Sequence, residues 1–248
     1  MADLIWPDRG SEAGNGFFSE AVTSRSDAAA DTTATLADNA GCRVVVQPNN
    51  RVLKYGCRVN IGEAHALKFG RELQMPVPVV HETRSLREGG IEICMDFIPG
   101  QPLEDIWPTM SAEQKTSIAL QLRQIVTTMR SRYRPSNLAL ELAEADQRWI
   151  ATPPAIRTSI SRSLRTDHRV VFTHGDLNPR NIIVENGTIK ALLDWEFAGW
   201  YPEYWEYVKF FERGTSCKDW KSFADTVFAD PYYDELVTFQ ALIRWQMP

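Results

Sequence analysis

Between Val171 and Trp200 the chain reads VFTHGDLNPRNIIVENGTIKALLDWEFAGW, and at its centre Asn186-Gly187 separates two apolar runs. An Asn-Gly pair in that setting is the strongest short-range signal for a tight β-hairpin. It predicts strands at Ile182–Glu185 and Thr188–Leu193, preceded by a short strand at Val170–Phe172. Asp176 and Asp194 then fall at the ends of short paired strands, with Asn181 five residues after Asp176. Two carboxylates and a carboxamide so placed suit metal-assisted phosphoryl transfer. Magnesium prefers carboxylate, carboxamide and water oxygens, which fits Asn181 and Asp194, and leaves Asp176 to take a proton from an attacking hydroxyl. His174, two residues before Asp176, reads as a structural prop of the loop.

A chain of 248 residues accommodates one large domain or two small lobes, and can bury roughly 70–75% of its unfolded surface. Its formal net charge of −5 is concentrated at the start, where residues 1–40 hold seven acids and two bases. The remainder is neutral, with no basic stripe to suggest nucleic acid as a partner. Four cysteines, Cys42, Cys57, Cys94 and Cys217, show no metal-ligand spacing. With no window approaching ~18 uninterrupted apolar residues, and no leader-like N-terminus, the expectation is a cytoplasmic protein that engages no membrane and has no evident obligate protein partner.

Residues 1–40 are rich in Ala, Ser, Thr, Asp and Gly and read as a mobile extension. GNGFF at Gly14–Phe18 has the composition of a phosphate-cradling loop, but no strand precedes it and no helix signal follows. From Cys42 the texture changes. Arg43–Gln47 and Arg51–Tyr55 flank a Pro48-Asn49-Asn50 turn and predict a β-hairpin with Lys54 in its second strand. Gly62 opens a helical pattern to about Leu73 with Glu63 in its first turn, and Pro76 and Pro78 end it. Ile91–Ile98 predicts a strand running into a linker at Pro99-Gly100. Ser111-Ala112-Glu113-Gln114 is a capping box; Ile118, Leu122, Ile125, Val126 and Met129 continue it as a helical stripe ending near Tyr133. Helices are expected over 137–145 and 155–164, from Tyr201-Pro202 to about Arg213, and across 219–245.

The residues THGDLNPRNIIV and LLDWEFAGWYPEYWEY resemble the aminoglycoside phosphotransferase/choline kinase family, most closely its fungal phosphotransferase-like members. The resemblance implies an α+β, two-lobed protein-kinase-like fold: a mobile extension over 1–40, a small β-rich N-lobe over 41–98, and a larger, mostly helical C-lobe over 99–248. It implies ATP and Mg2+ as cofactors, Asp176 as catalytic base, and Asn181 and Asp194 as metal ligands. The adenine would lie against the linker near Met95, Asp96 and Ile98, while VLKYG would place Lys54 on the α/β-phosphates and Glu63 would hold Lys54 by an ion pair. DWE stands where protein kinases carry DFG, and Asn178 stands where they place a lysine, which speaks against a protein substrate. Before Lys54, the expected strand–glycine loop–strand is represented only by Asp38-Asn39-Ala40-Gly41, so the phosphate lid is short, replaced or missing.

Two functions remain open at this stage. One is an ATP- and Mg-dependent phosphotransferase acting on a hydroxyl of a small molecule. The other is a pseudokinase-like nucleotide-binding or scaffold protein. Glu141, Glu144, Glu203 and Glu206 could line a site for a cationic acceptor, although solvated helix faces explain them equally well; the eight tryptophans allow an aromatic cage, but core packing is the favoured reading for them.

Overall fold

The computed structural model describes residues 34–134 apart from 40 and 88, residue 165, and residues 167–244. Its first layer is a five-stranded antiparallel sheet in the order β1-β2-β3-β5-β4, formed by β1 (Ala34–Asn39), β2 (Cys42–Gln47), β3 (Arg51–Gly56), β4 (Val80–Ser85) and β5 (Ile91–Asp96). Alternation along β2 and β3 explains the packing: Val44, Val46, Val52 and Lys54 are buried, while the residues between them are more exposed. Helix α1 (Ile61–Glu72) follows β3. Asn60 caps it, accepting the Gly62 N–H at 2.8 Å through its side chain, and Ala64, Leu67 and Gly70 lie on its buried face.

This layer corrects one expectation. The boundary placed at residue 40/41 falls inside the β1–β2 hairpin, because Asn39 pairs with Cys42 and Ala34 with Val46. The N-lobe therefore begins at or before Ala34, and two residues separate its first strands. The strand–turn–strand expected ahead of Lys54 is present, with a turn far tighter than a glycine-rich loop.

The chain leaves β5 through Phe97–Gly100 and enters the second lobe at β6 (Gln101–Pro102), which pairs with β9 (Ile182–Glu185) beside β10 (Thr188–Leu192). Gly100 is required here. Its φ is +135°, and a Cβ would lie 2.7 Å from Ile183 and 2.8 Å from the Val184 carbonyl oxygen. A short α2 (Leu103–Ile106) leads to α3 (Ala112–Met129), whose capping box forms as expected: Ser111 Oγ accepts the Gln114 N–H, and Gln114 Oε1 accepts the Ser111 N–H at 2.8 Å. The stripe Ile118, Leu122, Ile125, Val126 and Met129 is buried, and each such side chain removed from water contributes about 1.5–3 kcal/mol.

Helix α3 ends at Met129 rather than near Tyr133, because Tyr133–Arg134 forms β7, which pairs with β8 (Val170–Thr173). Strand β8 also pairs with β11 (Gly199–Pro202), so the helix expected from Tyr201 starts instead at Trp205, as α4 (Trp205–Glu212). Aromatic GWYP suits a strand, and Pro202, which has no N–H to donate, stands at its end. After it come α5 (Ala224–Val227) and α6 (Tyr233–Arg244). The helices expected over 137–145 and 155–164 lie outside the described residues, as does GNGFF. Trp107, Trp195 and Trp220 are fully buried, which answers the cage reading for those three in favour of core. No helix among the described residues is long and apolar enough to cross a membrane.

Backbone and aromatic contacts help seat the lobes on each other. The Leu192 N–H donates to the Pro76 carbonyl at 2.8 Å, and the Phe69 ring of α1 packs edge-on against Phe172 of β8 (4.8 Å between centroids) and, tilted, against Trp200 of β11. Helix α1 is thereby held directly over the HGD strand.

Candidate active site

Lys54 points from the sheet into the space between the lobes, where its ammonium bonds Glu63 Oε1 at 2.9 Å and Asp194 Oδ1 at 2.8 Å. All three side chains are buried to within about a tenth of full exposure. Burial alone would pull the lysine pKa down, but the two carboxylates more than offset it and hold the ammonium well above its ordinary range. Burial would likewise raise Asp194; the Lys54 ammonium prevails and keeps that carboxyl below its usual value. The ordering is enforced by backbone geometry. Asp194 has φ +62°, a left-handed conformation that a non-glycine residue adopts at a cost, and it follows Leu193, whose N–H donates to the Asn181 carbonyl at 2.8 Å.

Asn181 and Asp176 form the second half. Asn181 Nδ2 donates to both the carbonyl and Oδ2 of Asp176 at 3.1 Å. That leaves Asn181 Oδ1 buried with no hydrogen-bond partner. An orphaned buried carboxamide oxygen, one residue chain-adjacent to the hairpin that ends in Asp194, is the donor set a hard cation such as magnesium takes. Among the described residues no group of three or more His, Cys, Asp or Glu is arranged to hold a metal, so any such ion would rely on this carboxamide–carboxylate pair together with groups from outside the protein.

His174 fixes the loop between the two halves. Its Nε2 donates to the Leu193 carbonyl at 3.0 Å, and its Nδ1 accepts the Asp176 N–H at 3.1 Å. This arrangement requires the neutral imidazole, and burial lowers its pKa accordingly. The ring stacks edge-on against Trp195 at 4.5 Å. Gly175 supplies the bend at φ +79°, where a Cβ would meet the Phe197 carbonyl at 3.0 Å.

The linker residues take different places. Met95 is part of the sheet core. The Asp96 carboxylate turns to His81 Nε2 (2.6 Å) and the Val79 N–H (3.3 Å), and the Phe97 N–H donates to the Asn50 carbonyl. The Ile98 side chain is half-buried.

Glu206 and Glu203 take places other than the one expected of them, and two arginines beside Asp176 were not anticipated. Glu206, expected as a lining for a cation, is buried under the loop and accepts the His174 N–H at 2.6 Å and the Gly175 N–H at 3.1 Å. Its position among Trp205, Tyr207 and Val208 is the available sequence signal, since an acid inside an apolar helical run must find buried donors. Glu203 is likewise committed, to Arg169 at 2.8 Å and to His168, while Glu141 and Glu144 lie outside the described residues. Arg180 bonds Asp176 Oδ2 at 2.7 Å, and Arg213 Nε stands 3.5 Å from Asp176 Oδ1.

The chain matches the model of the phosphotransferase enzyme family over residues 25–236, and it belongs to that family. Solved structures agree on the fold, an α+β two-lobed protein-kinase-like architecture. An aminoglycoside-3'-phosphotransferase of type VIII superposes with TM-score 0.63 at 16% identity, covering 88% of this chain and 94% of its own. A thermostable mutant of aminoglycoside phosphotransferase APH(4)-Ia, in ternary complex with AMP-PNP and hygromycin B, gives 0.61 at 14% identity over 86% of this chain and 83% of its own. ADP-bound APH(2'')-Ib gives 0.59 at 15% identity over 86% and 80%. No curated protein sequence matches the chain.

Proposed function

We propose that the chain transfers the γ-phosphoryl group of ATP to a hydroxyl of a small molecule, with Asp176 as the base. The observation that carries this reading is the shared ammonium of Lys54, bonded to Glu63 and Asp194 across the two lobes. A buried lysine held charged by two carboxylates is suited to orienting anionic phosphate oxygens, and Glu63 keeps it extended toward them. Asn181 and Asp194 would hold magnesium, which when bound would neutralise charge on the phosphate oxygens. Asp176, steered by Asn181 and Arg180 through Oδ2, keeps Oδ1 buried without a hydrogen-bond partner. That oxygen is the one available to accept the hydroxyl proton. Asp176→Asn is expected to lower turnover by about 10²–10⁴-fold while leaving nucleotide affinity, measured by calorimetry, largely intact. Unchanged turnover would sink the assignment.

A second reading, a nucleotide-binding protein without turnover, is favoured by one feature: only two residues separate Asn39 from Cys42 where a phosphate lid is expected. Nucleotide-dependent thermal stabilisation without ATP consumption on any hydroxylated metabolite would select it.

A further inference from the structure

We infer that the hydroxyl compound accepted at Asp176 is an anion, carrying a carboxylate or phosphate group that Arg213 and Arg180 receive. The inference rests on the phosphotransferase reading above and concerns the approach to its base. Asp176 carries one negative charge, and Arg180 already satisfies it at 2.7 Å through Oδ2. Arg213 adds a second guanidinium on the other oxygen. At 3.5 Å its Nε is too far for a formed hydrogen bond, and that nitrogen is buried with no hydrogen-bond partner at all. Its guanidinium carbon stands over the Phe197 ring, 4.1 Å from the centroid, a contact that holds the fork without neutralising it.

A third cation stands behind these two. Lys221 donates to the carbonyls of Phe210 and Arg213; burial, and the neighbouring charge of Arg180, bring its pKa down to about 8. The acids that approach from other elements do not cancel this excess. Glu212 is bonded to Lys209, and Glu104 keeps its charge but is turned to the Ser216 N–H and hydroxyl rather than to either arginine. Arg180 also donates, at 3.4 Å, to the Gly214 carbonyl, which accepts from Asn178 as well. The segment following α4 is thus pinned to the catalytic loop with its arginine facing the base. Both side chains keep part of their surface open, 15% for Arg180 and 27% for Arg213. Arginine's planar fork matches carboxylate and phosphate oxygens in pairs. A polycationic acceptor would meet like charge at the point where its hydroxyl must reach Asp176.

The test uses the full chain with labelled ATP and magnesium against three acceptor panels matched for hydroxyl number: hydroxycarboxylates with polyol phosphates, neutral polyols, and aminoglycosides with amino alcohols. Transfer to the anionic panel is expected with kcat/KM at least about tenfold above the other two. Arg213→Gln is expected to raise the KM for the anionic acceptor about tenfold or more while shifting the KM for ATP by less than about threefold, with Arg213→Lys recovering part of the loss. The ATP constant serves as the control that the variant is folded and its nucleotide side intact. Preferential transfer to neutral or cationic acceptors overturns the inference and leaves the phosphotransferase reading standing. Absence of transfer to every panel overturns both. An equal rise in the two KM values upon Arg213→Gln overturns the role given to Arg213.

Discussion

The carboxylate of Glu206 accepts the backbone N–H of His174 at 2.6 Å from beneath the HGD loop. The same side chain takes the Gly175 N–H, so one buried acid in α4 satisfies two donors that the left-handed bend at Gly175 turns away from the strand ladder. His174 then spends its two ring nitrogens on Leu193 and Asp176. Glu206, His174, Asp176 and the Leu193–Asp194 step form one hydrogen-bonded chain, which couples the position of the Asp176 carboxylate to that of Asp194.

This acid leaves a pH signature. Burial raises the Glu206 carboxyl to about 7, against about 4.3 in an unfolded chain. Between those values the folded state binds more protons than the unfolded one, so this group's contribution to stability is largest at low pH and is lost as pH rises through the window. Its size is on the order of 3 kcal/mol. Glu206→Gln should flatten the wild-type difference in urea-unfolding free energy between pH 4.5 and pH 7 by that order. Parallel pH profiles for the two proteins would refute it.

What could be read from the sequence was local. The Asn186-Gly187 turn, the Ser111 capping box and the β-branched runs around Asn49-Asn50 each encode their structure within a few residues, and they placed Lys54, Asp176, Asn181 and Asp194 on the correct strands and loops. Strand β1 escaped because ATLADN is an edge strand whose side chains are half-buried or exposed, so it lacks the alternation that betrays a strand facing a core. Strand β11 escaped because its partner, β8, lies some thirty residues earlier in the chain. The observed role of Glu206, and any role for Arg213, were illegible for a related reason. Their roles depend on the distance across which α4 faces the loop, and no spacing along the chain expresses it.

Removing the shared cation strands two buried carboxylates. Lys54→Met should cost about 3–5 kcal/mol in chemical denaturation, because Glu63 and Asp194 then face each other uncompensated in a site from which water is largely excluded. Adding Glu63→Gln should recover part of that loss, giving a coupling energy well above the scatter of about 0.5 kcal/mol seen for independent sites. Strict additivity in that double-mutant cycle would show that the ion pair is not the cause.

At Asp194 the backbone can be separated from the carboxylate. Both Asp194→Ala and Asp194→Gly delete the Lys54 contact, but at φ +62° alanine retains a steric penalty that glycine lacks. The glycine variant should therefore be the more stable by about 1 kcal/mol, while both weaken magnesium-dependent nucleotide binding to the same extent. Equal melting temperatures would place Asp194 in relaxed backbone after all.

The tight first hairpin depends on a glycine in the neighbouring strand. Gly56 has φ +144°, and a Cβ there would lie 2.2 Å from the Gly41 carbonyl oxygen, the same oxygen that accepts the Arg58 N–H at 2.9 Å. The Gly41 atoms that the Cβ would meet belong to backbone, so relief requires the β1–β2 turn to move off β3. Gly187 is the natural comparison: its φ is +72°, yet nothing lies within 4 Å of an added Cβ. Gly187→Ala should cost about 1 kcal/mol of conformational strain, and Gly56→Ala about 2 kcal/mol or more, since displacement is added to strain. Only Gly56→Ala should also raise the KM for ATP, because the displaced turn belongs to the hairpin whose strand β2 pairs with Lys54 through Val44. Equal losses of stability at the two sites, with ATP affinity unchanged at both, would mean that this hairpin neither leans on Gly56 nor contributes to holding the nucleotide.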